Sequence, residues 1–219
     1  RQRQMCIRDR VYEGHFATTH SHITKYIDLT TLKARRSEAM AAANILADKY
    51  VNSTIIDTIV CMDGCEVIGA YLADKLTRNG ILSMNAHKTI YILSPEVGSG
   101  GLIVFRDNTE MMIKGKNVLV LLASATTGKT VRQCVDFIEY YGGNIAGISA
   151  IFSAASEVNG YPVNAIFTDK DVPAYGTYPP PLCPFCRNRQ KLDAVVNSYG
   201  YSKICLLYTS PSPRDPKTS

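Results

Sequence analysis

A doubly wound, mainly parallel α/β sheet is the fold this 219-residue chain predicts, on three observations. Short apolar runs rich in β-branched residues alternate with longer segments of helical period. One run, Val118-Leu119-Val120-Leu121-Leu122, is unbroken by any polar residue, as a strand covered on both faces requires. It leads through a loop of small and hydroxylated residues straight into a helical pattern.

The elements follow in order. Residues 37–50 (SEAMAAANILADKY) read as a helix with Ala-rich packing positions and Ser37 as its cap. Residues 54–61 (TIIDTIVC) read as a strand and 67–76 as the next helix. Residues 89–93 (TIYIL) and 102–105 read as strands around a turn at 98–101. After the central strand and the loop 123–130, residues 131–141 form a helix. Its face is Val131, Cys134, Val135 and Ile138, and Gly142-Gly143 end it. Residues 145–152 (IAGISAIF) and 165–167 supply two more strands, and 175–181 (YGTYPPP) read as an extended arm packed on a neighbour. Ligands of such sheets sit at the carboxyl ends of the strands, where the loops after residues 61 and 122 lie.

The two ends stand apart from this pattern. Residues 1–10 (RQRQMCIRDR) and 205–219, which open with CLLYTSPSPRD, resemble translated sequencing-adapter read-through. With them set aside, 11–204 is one domain of about 190 residues, enough to bury a core without staples. Its abrupt opening at Val11 predicts that the native start lies upstream. Four Arg and Asp9 give the first segment +3, and Arg214, Lys217 and Asp215 give the last +1. The formal net charge of +5 thus falls to +1, and no electrostatic case for nucleic acid or membrane remains. No apolar run approaches the roughly 20 residues of a bilayer span, and no signal peptide is visible. Five cysteines lie between the ends: Cys61, Cys65, Cys134, Cys183 and Cys186. An odd number in a strand-and-helix pattern predicts a reducing, cytoplasmic setting rather than a disulfide framework.

The chemistry concentrates in the loop. Thr126, Thr127, Gly128, Lys129 and Thr130 join a buried strand to a helix N-terminus, which is an anion cradle. Free backbone N–H groups and the positive end of the helix dipole meet there, with hydroxyls as further donors. The plain alternative is a tight turn with Thr130 as N-cap. Asp63 and Glu66 are either metal-binding acids or solvated charges at a helix start. His15, His20 and His22 cluster near the start, with an H-x-H pair. Cys183-Pro184-Phe185-Cys186 is one CxxC, whereas tetrahedral zinc takes four ligands. The other ligands would be Cys61, Cys65, a distant His, or the same pair from a second chain. A redox CxxC opens a helix, and the prolines around this one give little sign of one.

Four segments together resemble the type I phosphoribosyltransferases, and the orotate phosphoribosyltransferases among them. Gly14-His15-Phe16 through Tyr26-Ile27-Asp28 is similar to the family's opening segment. Residues 57–64 (DTIVCMDG) are similar to its pyrophosphate strand and loop, and 117–130 (NVLVLLASATTGKT) to its 5-phosphate strand and loop. Residues 179–186, with CPFC, resemble the CPxC tail of some bacterial orotate enzymes. The resemblance implies a sheet of the type I phosphoribosyltransferase kind with a small hood from the two termini. It implies transfer of phosphoribosyl from phosphoribosyl diphosphate to orotate in pyrimidine synthesis, with Mg2+, in a homodimer. On that reading Thr126, Thr127, Gly128, Lys129 and Thr130 hold the 5-phosphate, and Asp63, Gly64, Cys65 and Glu66 form the pyrophosphate loop. Cys183 and Cys186 are a candidate metal pair, zinc being the metal.

The chain also departs from the family. The two adjacent acids that grip the ribose hydroxyls are Leu122 and Ala123 here. Residues 94–101, at the family's basic mobile loop, contain no Lys or Arg; Lys88, Arg106 and Lys114 are the nearest cations. Two further readings therefore stay open. One is a sensor of the same fold that binds phosphoribosyl diphosphate or a nucleotide without turnover. The other is a P-loop protein, since residues 123–130 read A-x-x-x-x-G-K-T, with Asp169 as its magnesium acid.

Overall fold

The structure, a computed structural model, describes residues 10–78, 83–86, 88–98, 103–197 and 199–204. The chain begins with β1 (Val11–Ala17), β2 (His22–Ile27), α1 (Thr30–Ala34), α2 (Arg36–Ala47) and β3 (Thr58–Cys61). Next come α3 (Glu66–Arg78), β4 (Tyr91–Leu93), β5 (Glu96–Val97), β6 (Ile103–Val104) and α4 (Asp107–Glu110). Then follow β7 (Asn117–Ala125), α5 (Lys129–Tyr140), β8 (Asn144–Ser153), β9 (Glu157–Val158) and β10 (Tyr161–Thr168). β11 (Thr177–Tyr178), α6 (Pro184–Arg187), β12 (Ala194–Asn197) and β13 (Gly200–Lys203) end the described residues.

The main sheet has the order β4-β3-β7-β8-β10-β9 and is parallel except for its edge strand β9. β7 shows why its sequence is apolar throughout. Val118, Val120 and Leu122 point into one core with Val131, Cys134, Val135 and Ile138 of α5. Leu119, Leu121 and Ala123 point into the other, with Ala-rich α2 and with Ile68, Leu72 and Leu76 of α3. A period of two therefore feeds two helical layers, which is the doubly wound arrangement. Among the described residues no helix is long and apolar enough to cross a membrane.

Helix ends follow local chemistry in one case and defeat the sequence reading in another. At the end of α5, Gly142 (φ 76°) and Gly143 return their N–H groups to the Glu139 and Ile138 carbonyls, a Schellman motif. At the start of α2, Ser37 is not the cap. The short helix α1 precedes α2 directly, Arg35 takes the cap position, and no side chain caps it.

The hood is a second sheet of order β11-β2-β1-β12-β13, around a small core of Phe16, Ile23, Tyr26, Ala194 and Val196. The arm at 175–181 packs in part on its own chain. Thr177 pairs with Ile23, and the Tyr175 ring meets Phe152 edge-on at 5.0 Å. Residues 1–9 and 205–219, the suspected read-through, lie outside the described residues, as do 99–102 in the turn expected at 98–101. Arg10 is described, and its guanidinium meets Glu38 at 2.5 Å.

Asp57 clamps three strands of the main sheet at their amino ends. Its Oδ2 accepts from the Asn117 backbone N–H (3.0 Å) and Nδ2 (2.8 Å), and Lys88 Nζ lies 3.4 Å from Oδ1. Its own carbonyl accepts from Tyr91 N–H. Burial alone raises the carboxyl, but the Asn117 N–H and the Lys88 charge outweigh it and hold Asp57 below its ordinary value. Because the folded-state value is the lower one, the stabilisation is complete above the unfolded carboxylate range and is lost as pH falls through the folded value. Asp57→Asn should cost about 1 kcal/mol at pH 7 and progressively less as pH falls below the ordinary carboxylate range, by urea denaturation at a neutral and an acid pH. An equal cost at both would refute the clamp.

Candidate functional site

β3 and β7 are neighbours in parallel register, Val60 opposite Val120 and Cys61 opposite Leu121, so their loops leave the same sheet edge side by side. After β3, Asp63 (φ 60°) and Gly64 (φ 74°) have the successive positive φ angles of a type I′ turn, closed by Cys65 N–H on the Met62 carbonyl. Asp tolerates this region better than most side chains. After β7, Thr126-Thr127-Gly128 turns directly into α5, and Gly128 (φ 69°) takes the cap position with no side-chain cap. The strand runs on to Ala125, so only three residues make the turn, and Thr130 sits inside the helix rather than capping it. The first-turn N–H groups thus lack an intrahelical partner.

Gly128 is required on two counts: its left-handed φ, and a Cβ there would stand 2.9 Å from Val158 Cγ2. Gly128→Ala should therefore cost about 1–3 kcal/mol in chemical denaturation. A cost below a few tenths would mean that the turn relaxes freely.

Both loops line one cavity of about 380 Å³ at the carboxyl edge of the sheet, roofed by the hood. Asp63, Gly64 and Glu66 face it from one side, and Thr126, Thr127, Gly128, Lys129 and Thr130 from the other. Cys65 does not; it is wholly buried, and burial together with the Asp63 charge pushes its thiol far above the ordinary range. Among the described residues, the side chains of Thr126, Thr127, Lys129 and Thr130 take part in no hydrogen bond or ion pair. Glu66 Oε1 accepts from Ser94 Oγ at 2.6 Å.

The cavity's cations are not those nearest in sequence. Lys88 pairs with Asp57, Arg106 with Glu96 and Lys114 with Glu110, all away from the cavity lining. Lys25 and Lys33 line it instead, beside Lys129. Lys33 Nζ donates to the Asp63 carbonyl at 2.6 Å, so α1 bolts a cation onto the first loop. Lys25 is already paired with Glu13 at 2.5 Å, so Lys33 and Lys129 are the lysines that balance Asp63 and Glu66 in the described lining. No local pattern marks Lys33; the packing of α1 against α2 and α3 makes it a site residue.

Leu122 and Ala123, at the acid positions of the family, are each 3% exposed and belong to the two opposite cores. They are strand residues, not loop residues. Ser124, the next position, is exposed and lines the cavity, so its hydroxyl is the polar group this stretch offers. Phe152 at the end of β8 and Tyr175 complete an aromatic wall. Asp169 opens a short 3₁₀ turn under a Thr168–Asp171 capping box and is not part of the lining.

Cys183 and Cys186 lie in the hood, and the structure brings His15 and His22 to them. His20 goes elsewhere, to the cavity side of the β1–β2 turn, and Cys61 and Cys65 sit in the core beneath α3. Contrary to the expectation from its prolines, the motif does open a helix. Cys183 caps the one-turn α6 and Pro184 takes its first position, where the missing N–H is harmless.

No protein-family profile matches the sequence, and no curated protein matches it either. Solved structures do. The chain is similar to UMP synthase of Leishmania donovani, with 16% identity and a TM-score of 0.55 over 83% of this chain and 36% of that one. It therefore spans about a third of that protein. It is similar to orotate phosphoribosyltransferase of Aeropyrum pernix (18% identity, TM-score 0.52, 75% of this chain and 90% of that one). A phosphoribosyltransferase of Corynebacterium diphtheriae gives 18% and 0.50 over 74% and 90%.

Proposed function

On the type I phosphoribosyltransferase fold that this chain has, we propose a protein that binds phosphoribosyl diphosphate and transfers its phosphoribosyl group to orotate. One observation carries the reading: a phosphate cradle and a loop bearing two acids leave adjacent parallel strands and line the same cavity. The 5-phosphate sits on Thr126, Thr127, Gly128, Lys129 and Thr130, held by backbone N–H groups, hydroxyls and one ammonium. The diphosphate lies along Asp63, Gly64 and Glu66, close to Lys33.

Asp63 and Glu66 fit magnesium in its usual manner, one or two carboxylates together with substrate phosphates. When bound, the ion neutralises charge on the diphosphate. The chain's own residues do the positioning. Breaking the bond at the anomeric carbon leaves an oxocarbenium-like sugar, and the phosphate cradle holds that sugar while the departing diphosphate is stabilised. Ser124 is the side chain placed to meet a ribose hydroxyl. The assembly is a homodimer, on the family resemblance.

The burial of Leu122 and Ala123 favours one second reading, a sensor that binds without turnover. Calorimetric titration of the full chain with phosphoribosyl diphosphate and magnesium, with orotate depletion followed on the same sample, separates the two. Binding with depletion supports the transferase, and binding without depletion supports the sensor. Absence of binding refutes both.

A further inference from the structure

We propose that His15, His22, Cys183 and Cys186 form a structural zinc site that ties the start of the hood to its end. The four donor atoms lie within 4.8 Å of one another. His15 Nε2 is 3.0 Å from His22 Nδ1, 3.4 Å from Cys183 Sγ and 3.6 Å from Cys186 Sγ, and His22 Nδ1 is 3.3 Å from Cys186 Sγ. Zinc bonds of about 2.0 Å to nitrogen and 2.3 Å to sulfur at tetrahedral angles place ligand atoms about 3.3–3.8 Å apart. These four spacings fall on or just below that range, and the other two pairs, within 4.8 Å, need only a small side-chain movement to close on an ion.

The environment of His15 points the same way. Its Nδ1 faces the Gln190 and Lys191 carbonyls at 3.1 and 3.2 Å. Only a protonated Nδ1 satisfies two carbonyl acceptors, so the lone pair is on Nε2, the atom aimed at the cluster. Phe185 packs on the ring at 5.2 Å and holds its plane. His15 N–H donates to Asp193 Oδ2 at 2.7 Å, and Asp193 N–H returns to the His15 carbonyl. The buried imidazole is therefore oriented by the two carbonyls and Phe185, on a backbone pinned by Asp193, with its free nitrogen on a second imidazole and two thiols.

A set of two sulfurs and two nitrogens selects zinc among common cations, and four protein ligands leave no open position for catalysis. As the two sulfur–zinc bonds form, each thiol releases its proton to solvent, and the paired thiolates neutralise the ion. The chain topology supplies the purpose. His15 and His22 flank the tip of the β1–β2 hairpin, and the cysteines come from a segment more than 160 positions later. The metal stitches these together and so steadies residues 18–20, which line the cavity. The site does not depend on what the cavity binds.

The test is metal analysis of the full chain purified without chelator, followed by stripping and cobalt(II) titration. About one zinc per chain is expected, and cobalt should give the intense visible bands of tetrahedral geometry with thiolate charge transfer in the near ultraviolet. Cys186→Ser and His22→Ala, made separately, should weaken zinc binding at least ~100-fold in chelator competition, whereas His20→Ala should not. Cys186 is exposed and His22 half-buried, so both variants should fold. The proposal is overturned by a chain that takes up no zinc or by an octahedral cobalt spectrum without the thiolate band. It is equally overturned by a Cys183–Cys186 disulfide in the metal-free protein that zinc does not prevent.

Discussion

With Thr126→Val and Thr127→Val combined, the chain should bind phosphoribosyl diphosphate at least ~100-fold more weakly and unfold at an unchanged denaturant concentration. The two hydroxyls have no partner among the described residues, Thr127 is exposed, and valine keeps the β-branched shape. The fold therefore has little to lose. The ligand loses two donors to a phosphate, each worth about 1.5–3 kcal/mol when the acceptor is charged. Titration calorimetry with magnesium reads the affinity, and a urea curve reads the stability. Equal affinities in parent and variant would show that the anion sits elsewhere, whatever the fold implies.

Restoring the family's acid by Ala123→Asp should destabilise the protein by at least ~3 kcal/mol at pH 7, and should not raise orotate turnover above that of the parent. Ala123 is a 3%-exposed strand residue facing the core of α2 and α3, among Leu119, Leu121 and Phe152. Ala123 also borders the cavity, but at 3% exposure a carboxylate there would be largely taken out of water. Burial would raise the new carboxyl's folded-state value above the unfolded one. The penalty is therefore largest above that raised value and shrinks as pH falls through it toward the unfolded value. Denaturation at pH 7 and pH 5 tests this, with a smaller penalty expected at pH 5. An Ala123→Asp protein as stable as its parent, with turnover above the parent's, would mean that the end of β7 opens readily, and that this position is a loop in solution.

These two substitutions mark how far sequence alone could read the site. The cradle was legible because every part of it is local. An apolar run, two threonines, a glycine that must have positive φ and an amphipathic helix are consecutive, and backbone geometry then dictates the turn. The helix terminus at Gly142-Gly143 was legible for the same reason. Lys25, Lys33 and Ser124 were not, since each becomes a cavity residue only through the placement of the hood, of α1 and of the strand end over it. The hood strands escaped because β1 is broken by a register shift between Glu13 and Phe16, and β2 mixes buried and half-buried positions without alternation.

By itself the sequence determined the parallel α/β sheet, the two loops at its carboxyl edge and the apolar nature of Leu122 and Ala123. Those properties follow from periodicity and from chain neighbours. The tertiary structure alone decided that Asp63 and Thr126 share a cavity, that Cys65 faces away from it, and that His15 and His22 rather than Cys61 or Cys65 meet Cys183 and Cys186. Each of these depends on contacts between residues far apart in the chain, set by how sheet, helices and hood pack, and no local pattern encodes that packing.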